Sequence, residues 1–260
     1  MSGSDGQASN LIIVLGAFKR SGTNYLRDLL CCHARAWPSA IAEDFLLAKS
    51  DLLLQYVQGT TLRWGMAGKA QQGVLQESIT RAFVELLNVE GDRVVSKTPC
   101  TEGVHNVDTI FPGAKVVFIV RDGRDTIESG RRSWDWGIKE KAKEWAEGVA
   151  RIRDFELSFP GRSIRIRYED LFLDLENTLT PVLNHCELPL DLYEWDAARQ
   201  SPVRGSSDLR HRWKEKMHWH AKEKWPEFNP IGRWRELWTE KDLADFNEAA
   251  MMMNQWLGYV

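Results

Sequence analysis

The sequence predicts an α/β fold of three layers, in which helices flank both faces of a central, mainly parallel sheet. Strand and helix signals alternate along most of the 260 residues, as they do where crossover helices join parallel strands. Two mostly aliphatic runs, Leu11–Gly16 and Lys115–Val120, show no polar alternation. Strands that are buried on both faces have this composition, so both runs are expected inside the sheet.

The remaining elements follow from hydrophobic periodicity. A period of two, or a short apolar run, indicates a strand, whereas apolar residues three or four apart indicate an amphipathic helix. The predicted strands are 11–16, 93–97, 115–120 and 163–168. The predicted helices are 24–34, 42–57, 72–87, 102–111, 139–158, 169–186 and 240–257. No repeat or long linker divides the chain, so we expect a disordered tail at 1–10 and a single domain over 11–260.

The first strand leads into a loop that is suited to bind an anion. Lys19, Arg20 and Ser21 precede Gly22 and Thr23, and the predicted helix 24–34 follows. Backbone N–H groups at such a helix start bind phosphate or sulfate, and glycine lets the backbone approach the ligand. The loop is P-loop-like, but five residues separate its two glycines where a Walker A loop has four, and threonine replaces the lysine. A nucleoside triphosphate is therefore not the expected ligand.

A second charged motif follows the strand Lys115–Val120. Arg121 comes directly after this strand, and Ser129 lies eight residues later on the following helix. Ligands of parallel sheets bind at the carboxyl ends of the strands, where Arg121 should lie. Two anion sites predict a ligand with two separate anionic groups. Arg124 and Asp125 are expected to be surface or capping groups.

These motifs together resemble the sulfotransferases that use 3′-phosphoadenosine-5′-phosphosulfate (PAPS). The resemblance rests on (Lys/Arg)-Ser-Gly-Thr after the first strand and Arg-x7-Ser after a central strand. The segment 229–235 also resembles a C-terminal cofactor-contacting segment of many bacterial members. The resemblance implies in-line transfer of a sulfuryl group to a hydroxyl or amine of a small-molecule acceptor, with release of adenosine 3′,5′-bisphosphate (PAP). It implies no metal requirement.

The resemblance also assigns residues to the donor. The first loop would hold the 5′-phosphosulfate, Arg121 and Ser129 the 3′-phosphate, and Tyr168 and Trp234 would lie near the adenosine. Arg20 would meet the charge that develops on the leaving phosphate, because oriented donors lower such a barrier. The residues assigned to the donor are Lys19, Arg20, Ser21, Gly22, Thr23, Asn24, Arg121, Ser129, Tyr168, Arg233 and Trp234.

Two groups within the family use different residues as the general base. Small-molecule cytosolic sulfotransferases have a histidine two residues after a strand-end lysine, but here Pro99 stands two residues after Lys97. Tyrosylprotein sulfotransferases instead have Lys-x-Pro and a glutamate about twenty residues after the first loop. The chain resembles them, which implies Glu43 as the base, Asp44 as a second candidate and Lys97 as a contact of the transferring group. A glutamate also suits a helix N-terminus, so a structural role for Glu43 stays open.

Composition excludes several partners and offers no metal motif. The net charge of −3 gives no overall attraction to nucleic acid or to anionic membranes. No apolar run approaches the roughly 18 residues of a membrane helix, and a cytoplasmic location is expected. The cysteines lack metal-type spacing and are expected to be reduced: Cys31, Cys32, Cys100 and Cys186. The spacing of His211, His218 and His220 is weak evidence for a metal site, so no metal is assigned.

Two rival functions and the acceptor remain open. A P-loop nucleotide or metabolite kinase should have Gly-Lys-(Ser/Thr) and a strand-end aspartate for Mg²⁺. A noncatalytic nucleotide-binding module would keep Arg121 and Ser129 but would dispense with Glu43 and Lys97. The segment 203–229 is a candidate lid and is expected to shape the acceptor site with 45–70 and 131–140. The sequence predicts neither the acceptor nor the oligomeric state.

Overall fold

The structure is a computed structural model that describes residues 7–89, 92–204 and 228–260. Its sheet has the strand order β2-β3-β1-β4-β5, and every neighbouring pair is parallel. The strands are β1 Leu11–Gly16, β2 Ala36–Pro38, β3 Arg93–Thr98, β4 Lys115–Val120 and β5 Ser163–Arg167. The predicted α/β class with a mainly parallel sheet is therefore confirmed.

Helices connect and cover these strands. They are α1 Thr23–Leu30, α2 Ser50–Thr61, α3 Met66–Leu86, α4 Val107–Ile110, α5 Gly123–Trp134, α6 Ile138–Ser158, α7 Tyr168–Leu173, α8 Leu175–His185, α9 Trp195–Gln200, α10 Trp234–Leu237 and α11 Glu240–Trp256. In the described part of the chain, no helix is both long and apolar enough to cross a membrane.

Two hydrophobic cores lie on opposite faces of the sheet. Successive residues of β1 point to opposite faces, as the pleat of a strand requires. Ile13 belongs to one core together with Trp145 of α6, and Ile12 belongs to the other together with Leu26 of α1. These side chains are almost entirely buried. The sheet thus forms the middle layer between two layers of helices.

The predicted helix 42–57 is wrong at its start, because α2 begins only at Ser50. The residues before it form a loop that is tied to β3. The backbone N–H of Phe45 donates to Thr98 Oγ1 at 3.3 Å, and Phe45 itself adopts a left-handed φ of 52°. An α-helix cannot pass through that conformation. Glu43 therefore lies on a loop and does not open a helix.

Two other predicted helices are also interrupted. Gly103, with φ of 69°, lies so close to the Leu47 carbonyl that a Cβ would be 1.8 Å from its oxygen. The predicted helix 102–111 is therefore replaced by a short turn at Val104–Asn106 followed by α4. The predicted helix 169–186 breaks at Asp174, whose side chain accepts from the Asn177 N–H and caps α8. Strand β2 has three residues, too few for a periodic signal, and the sequence analysis missed it.

The parallel arrangement brings chemically active segments to one edge of the sheet. The carboxyl ends of parallel strands meet at the same edge, so the residues that follow β1, β3 and β4 are neighbours there. The register supports this, because Val14 of β1 pairs with Lys97 of β3 and with Val117 of β4. The first loop, Lys97 and Arg121 therefore converge although they are distant in sequence.

Candidate active site

The loop after β1 contains two left-handed backbone conformations. Arg20 has φ of 73° and Gly22 has φ of 100°. A Cβ on Gly22 would lie 2.3 Å from Cδ2 of Tyr168, so the position requires glycine both for its conformation and for space. Ser21 closes the turn, because its hydroxyl donates to the Phe18 carbonyl at 2.7 Å. The loop leads directly into the first turn of α1 at Thr23. The backbone N–H groups of a first turn have no partner within the helix.

Arg121 connects three parts of the site. Its Nη1 donates to the Arg20 carbonyl at 3.1 Å, and its Nη2 donates to the Pro230 carbonyl at 2.6 Å. Its guanidinium carbon lies 4.8 Å from the centre of the Tyr168 ring. The residue is 6% exposed, and its Nε has no hydrogen-bond partner among the described residues. A buried charged donor without an acceptor is costly, so an anionic ligand here would relieve that cost.

Ser129 of α5 meets the first loop directly. Arg20 Nε donates to Ser129 Oγ at 3.0 Å, and the Arg20 guanidinium lies 5.1 Å from the centre of the Trp134 ring. Both predicted anion sites therefore belong to one cavity, the donor cavity, which has a volume of about 210 Å³. The predicted donor residues that line it are Lys19, Arg20, Gly22, Thr23, Asn24, Arg121, Ser129, Tyr168 and Arg233.

Glu43 and Lys97 form an ion pair beside the donor cavity. Lys97 Nζ donates to Glu43 Oε1, and Glu43 lines the cavity. The Lys97 side chain is 2% exposed, whereas that of Glu43 is about one third exposed. Burial lowers the pKa of Lys97, and the Glu43 carboxylate opposes this effect. The pair thus consists of the buried Lys97 ammonium and the Glu43 carboxylate, which lies on the wall of the donor cavity.

Asp44 has a different role from its neighbour. Ser96 Oγ donates to Asp44 Oδ2, and the Leu46 N–H donates to Asp44 Oδ1 at 2.9 Å. Oδ2 therefore holds the loop against β3, and Oδ1 fixes the backbone of the loop itself. Glu43, rather than Asp44, is the carboxylate that faces the donor cavity.

Trp234 lies outside the lining of the donor cavity. Its ring packs between two guanidinium groups, at 4.1 Å from Arg124 and 4.5 Å from Arg235. Arg124 is also held by Asp122, through Nη2 to Oδ2 at 2.8 Å. The structure therefore places Trp234 in the packing between α5 and α10, and places Arg233 at the cavity instead. The expectation that Arg124 is a surface group is wrong, because both of these contacts bury it.

Asp125 is a functional candidate that the sequence analysis missed. It is 1% exposed, and its carboxylate accepts from the N–H of Gly232 at 2.6 Å and of Trp234 at 3.4 Å. Burial raises the pKa of this carboxyl, and nearby Arg121 opposes the effect. The expectation of a surface group is therefore wrong, whereas the contact with the Trp234 N–H caps the start of α10. Its place just after a central strand was the available signal, but the sequence did not indicate its partner.

Some predictions fall on residues that the structure does not describe. Most of the candidate lid 203–229 is among them, as are His211, His218 and His220. In the described ranges, no group of three or more His, Cys, Asp or Glu residues is placed to hold a metal ion. The four cysteines are free thiols.

The family of the chain is shown by a match over most of its length. The model of the sulfotransferase family matches residues 12–192, which include the first loop, the Glu43–Lys97 pair and Arg121 with Ser129. The chain belongs to the sulfotransferase family.

Two curated relatives are similar to parts of the chain. A protein-tyrosine sulfotransferase of Drosophila melanogaster is 26% identical over 196 residues, which are 68% of this chain and 38% of the relative. An uncharacterized protein of Aquifex aeolicus is 26% identical over 200 residues, which are 68% of this chain and 25% of the relative. The chain thus spans well under half the length of each.

Solved structures share the fold over nearly the whole chain. The sulfotransferase domain of the Synechococcus PCC 7002 olefin synthase superposes with a TM-score of 0.62 at 18% identity, covering 96% of this chain and 95% of that one. A mouse sulfotransferase complexed with PAP superposes with a TM-score of 0.55 at 13% identity, covering 93% and 82%. At these identities the likeness establishes the fold.

Proposed function

We propose that this chain is an enzyme that transfers a sulfuryl group from PAPS to a hydroxyl or amine of a small-molecule acceptor and releases PAP. The observation that carries the proposal is the donor cavity, in which the glycine-shaped loop meets Arg121, whose Nε has no hydrogen-bond partner among the described residues. Membership of the sulfotransferase family supports sulfuryl transfer. The PAP bound to the mouse sulfotransferase supports PAPS as the donor.

The charge of the donor cavity fits a bis-anionic donor. Its cationic lining residues, among those described, are Lys19, Arg20, Arg121, Arg204 and Arg233, and its carboxylate is Glu43. Such an excess of positive charge attracts an anion. The N-terminal turn of α1 suits the 5′-phosphosulfate. The Arg121 guanidinium and the Ser129 hydroxyl suit a second phosphate, since guanidinium groups match phosphate geometry.

Three side chains then have separate roles in the transfer reaction. Arg20 stabilises the negative charge that grows on the leaving 5′-phosphate. Lys97 contacts the sulfuryl oxygens, which draws its ammonium away from Glu43. Glu43 accepts the proton of the acceptor as the acceptor oxygen or nitrogen bonds to sulfur and the bond from sulfur to the phosphate oxygen breaks. The products are the sulfated acceptor and PAP.

A noncatalytic nucleotide-binding module is the second candidate. It would need the donor cavity but no base, and Glu43, which lines the cavity and pairs with Lys97, favours an enzyme. A P-loop kinase is less consistent with the sequence. Such a kinase would have a lysine after the second glycine of the loop, where this chain has Thr23. It would also have a metal-binding aspartate at a strand end, where Arg121 follows β4.

Release of PAP tests the proposal. We expect the protein to release PAP from PAPS in the presence of pooled hydroxylated acceptors without added metal, and to release no ADP from ATP. Glu43→Gln should lower kcat about 10²- to 10⁴-fold while PAP affinity stays within twofold, because a lost general base costs about that factor. Glu140→Gln, on an exposed part of α6, is the control. Normal turnover by Glu43→Gln would remove Glu43 from the mechanism, and ADP release without PAP release would favour a kinase.

A further inference from the structure

A second cavity adjoins the donor cavity. It has a volume of about 380 Å³, and Lys19 and Pro99 line both cavities. Phe45 and Pro99 on its wall are each two residues from a proposed reacting group, Glu43 and Lys97 respectively. The second cavity therefore opens beside the groups that would handle the acceptor proton and the sulfuryl oxygens.

One wall of the second cavity is a row of aromatic rings. Phe18 and Trp136 line it, with their ring centres 5.3 Å apart. Trp136 continues the row to Trp134, at 5.1 Å between ring centres. Trp134 in turn lines the donor cavity, where its ring contacts the Arg20 guanidinium. The row thus leads from the second cavity to the residue that would stabilise the leaving phosphate.

Two helical glycines fix the shape of this wall. A Cβ on Gly130 of α5 would lie 1.8 Å from Cε3 of Trp136, so the indole ring occupies the space that a side chain would need. A Cβ on Gly148 of α6 would lie 1.9 Å from the Ala17 carbonyl oxygen. Both close approaches depend on glycine. The Trp136 ring therefore lies directly against α5, and the backbone of Ala17, which also lines the cavity, lies directly against α6.

The charges around the second cavity balance. Its charged lining residues, of those described, are three cations and three carboxylates: Lys19, Arg151, Lys141, Glu102, Glu144 and Glu147. Along α6 the charges also pair, with Lys141 Nζ at 2.6 Å from Glu144 and Arg151 at 3.8 Å from Glu147. The donor cavity, by contrast, carries a clear positive excess. The second cavity therefore attracts neither anions nor cations strongly.

We propose that the second cavity is the acceptor site and that it takes a small, uncharged phenol. This inference rests on the proposed sulfuryl transfer and names its substrate class. An aromatic ring packs on Phe18, Phe45 and Trp136, since pairs of rings gain stabilisation beyond their buried area. The space suffices, because a cavity of about 150 Å³ already binds benzene. The phenol hydroxyl then points past Lys19 and Pro99, which line both cavities, into the donor cavity, where Glu43 lies on the wall.

Binding of matched rings tests the inference. We titrate 4-methylphenol and 4-methylcyclohexanol into the PAP-saturated protein by calorimetry. The two probes have the same heavy-atom skeleton and differ in aromaticity, and a binding measurement is independent of how easily each hydroxyl reacts. We expect 4-methylphenol to bind about 3- to 10-fold more tightly, the range that aromatic pairs contribute. Equal affinities, or no saturable binding of 4-methylphenol, would overturn the inference.

Variants of the aromatic wall give a second test. Trp136→Leu keeps apolar bulk but removes the ring, and should weaken 4-methylphenol binding about 3- to 10-fold with PAP affinity within twofold. Trp37→Leu is the matched control, because Trp37 is half exposed on β2 and lines neither cavity. If Trp136→Leu fails to bind PAP, Phe45→Leu takes its place. Unchanged affinity for 4-methylphenol in a PAP-binding wall variant contradicts the aromatic site.

Two further comparisons separate this inference from the proposed function and from a peptide acceptor. If the wild-type protein does not bind PAP, the proposed function fails and the acceptor inference fails with it. If PAP binds but the ring preference is absent, only the acceptor inference fails. A tyrosine side chain carries the same ring as 4-methylphenol, so a tyrosine-containing peptide is titrated in parallel. Tighter binding of the free phenol supports a small-molecule acceptor, and tighter binding of the peptide contradicts it.

Discussion

Lys97 and Arg121 are both buried cations at the carboxyl edge of the sheet, yet their surroundings differ. Arg121 donates to two backbone carbonyls and retains one donor without a partner among the described residues. Lys97 has a carboxylate partner, Glu43, and burial still lowers its pKa. A lysine with a lowered pKa loses its charge at a lower pH than an exposed lysine does. The two side chains should therefore respond differently to alkaline pH.

The first prediction concerns the pH dependence of turnover. The proposed role of Lys97 requires its charged form, which is lost as pH rises through the lowered pKa. We expect kcat, measured with saturating PAPS and acceptor, to fall on the alkaline side at a pH below the ordinary lysine value of 10.5. Lys97→Met should reduce kcat and remove this alkaline limb. Lys139→Met, at an exposed ion pair with Glu248, should keep it. An identical pH profile in Lys97→Met would refute the role.

The second prediction concerns Gly22 and the stability of the fold. Gly22→Ala combines a left-handed φ with a clash against the buried Tyr168 ring, so we expect a loss of about 2–5 kcal/mol in the free energy of unfolding. Gly161→Ala is the matched control, because Gly161 has a φ of 76° but open space around its Cα. It should lose about 1–2 kcal/mol. Urea unfolding measures both, and equal losses would show that the Tyr168 contact is unimportant.

At the scale of elements, the N-terminal half of α5 holds the segment that precedes α10. Asp125 accepts from the backbone of Gly232 and Trp234, and Arg121 donates to the Pro230 carbonyl. Arg233, between these anchored residues, lines the donor cavity. The segment therefore takes its position from α5. Asp125 is outside the cavity lining and would act on the donor through Arg233.

The third prediction tests Asp125 as a positioning residue. Asp125→Asn keeps the shape of the side chain but loses the charge and one acceptor, so we expect the KM for PAPS to rise roughly tenfold with kcat within twofold. Asp154→Asn, exposed on α6 and outside both cavities, should change neither value. Steady-state kinetics over a range of PAPS concentrations makes the measurement. A fall in kcat at unchanged KM would show that Asp125 acts on the chemical step instead.

The sequence predicted the two aliphatic strands more accurately than two of the helices, for a physical reason. The strands Leu11–Gly16 and Lys115–Val120 are continuous aliphatic runs, and the structure confirms both. The helices predicted at 42–57 and 102–111 fail where the loop around Phe45 and the close contact of Gly103 replace helical geometry. Those features depend on tertiary contacts with β3 and with Leu47, which local periodicity does not encode.

At the scale of the whole molecule, the parallel sheet explains why two remote motifs act together. The first loop and Arg121 follow neighbouring strands, so they meet at one edge and line one cavity. Each motif is a local pattern, which is why the sequence indicated two anion sites, and the assignment of their residues to a donor stays a prediction. The second cavity is different, because it joins Phe18, Phe45 and Trp136 with a face of α6. The predicted acceptor segments include Phe45 and Trp136, but only the tertiary fold brings Phe18 and α6 to them.

The central claim is that the donor cavity binds a nucleotide with two separate phosphate groups. A crystal structure of the protein with PAP tests it most directly. We predict that the 5′-phosphate contacts the backbone between Arg20 and Asn24, and that the 3′-phosphate accepts from Arg121, with its Nε among the donors, and from Ser129. PAP bound elsewhere, or a 3′-phosphate that leaves the Arg121 guanidinium without a contact, would contradict the account.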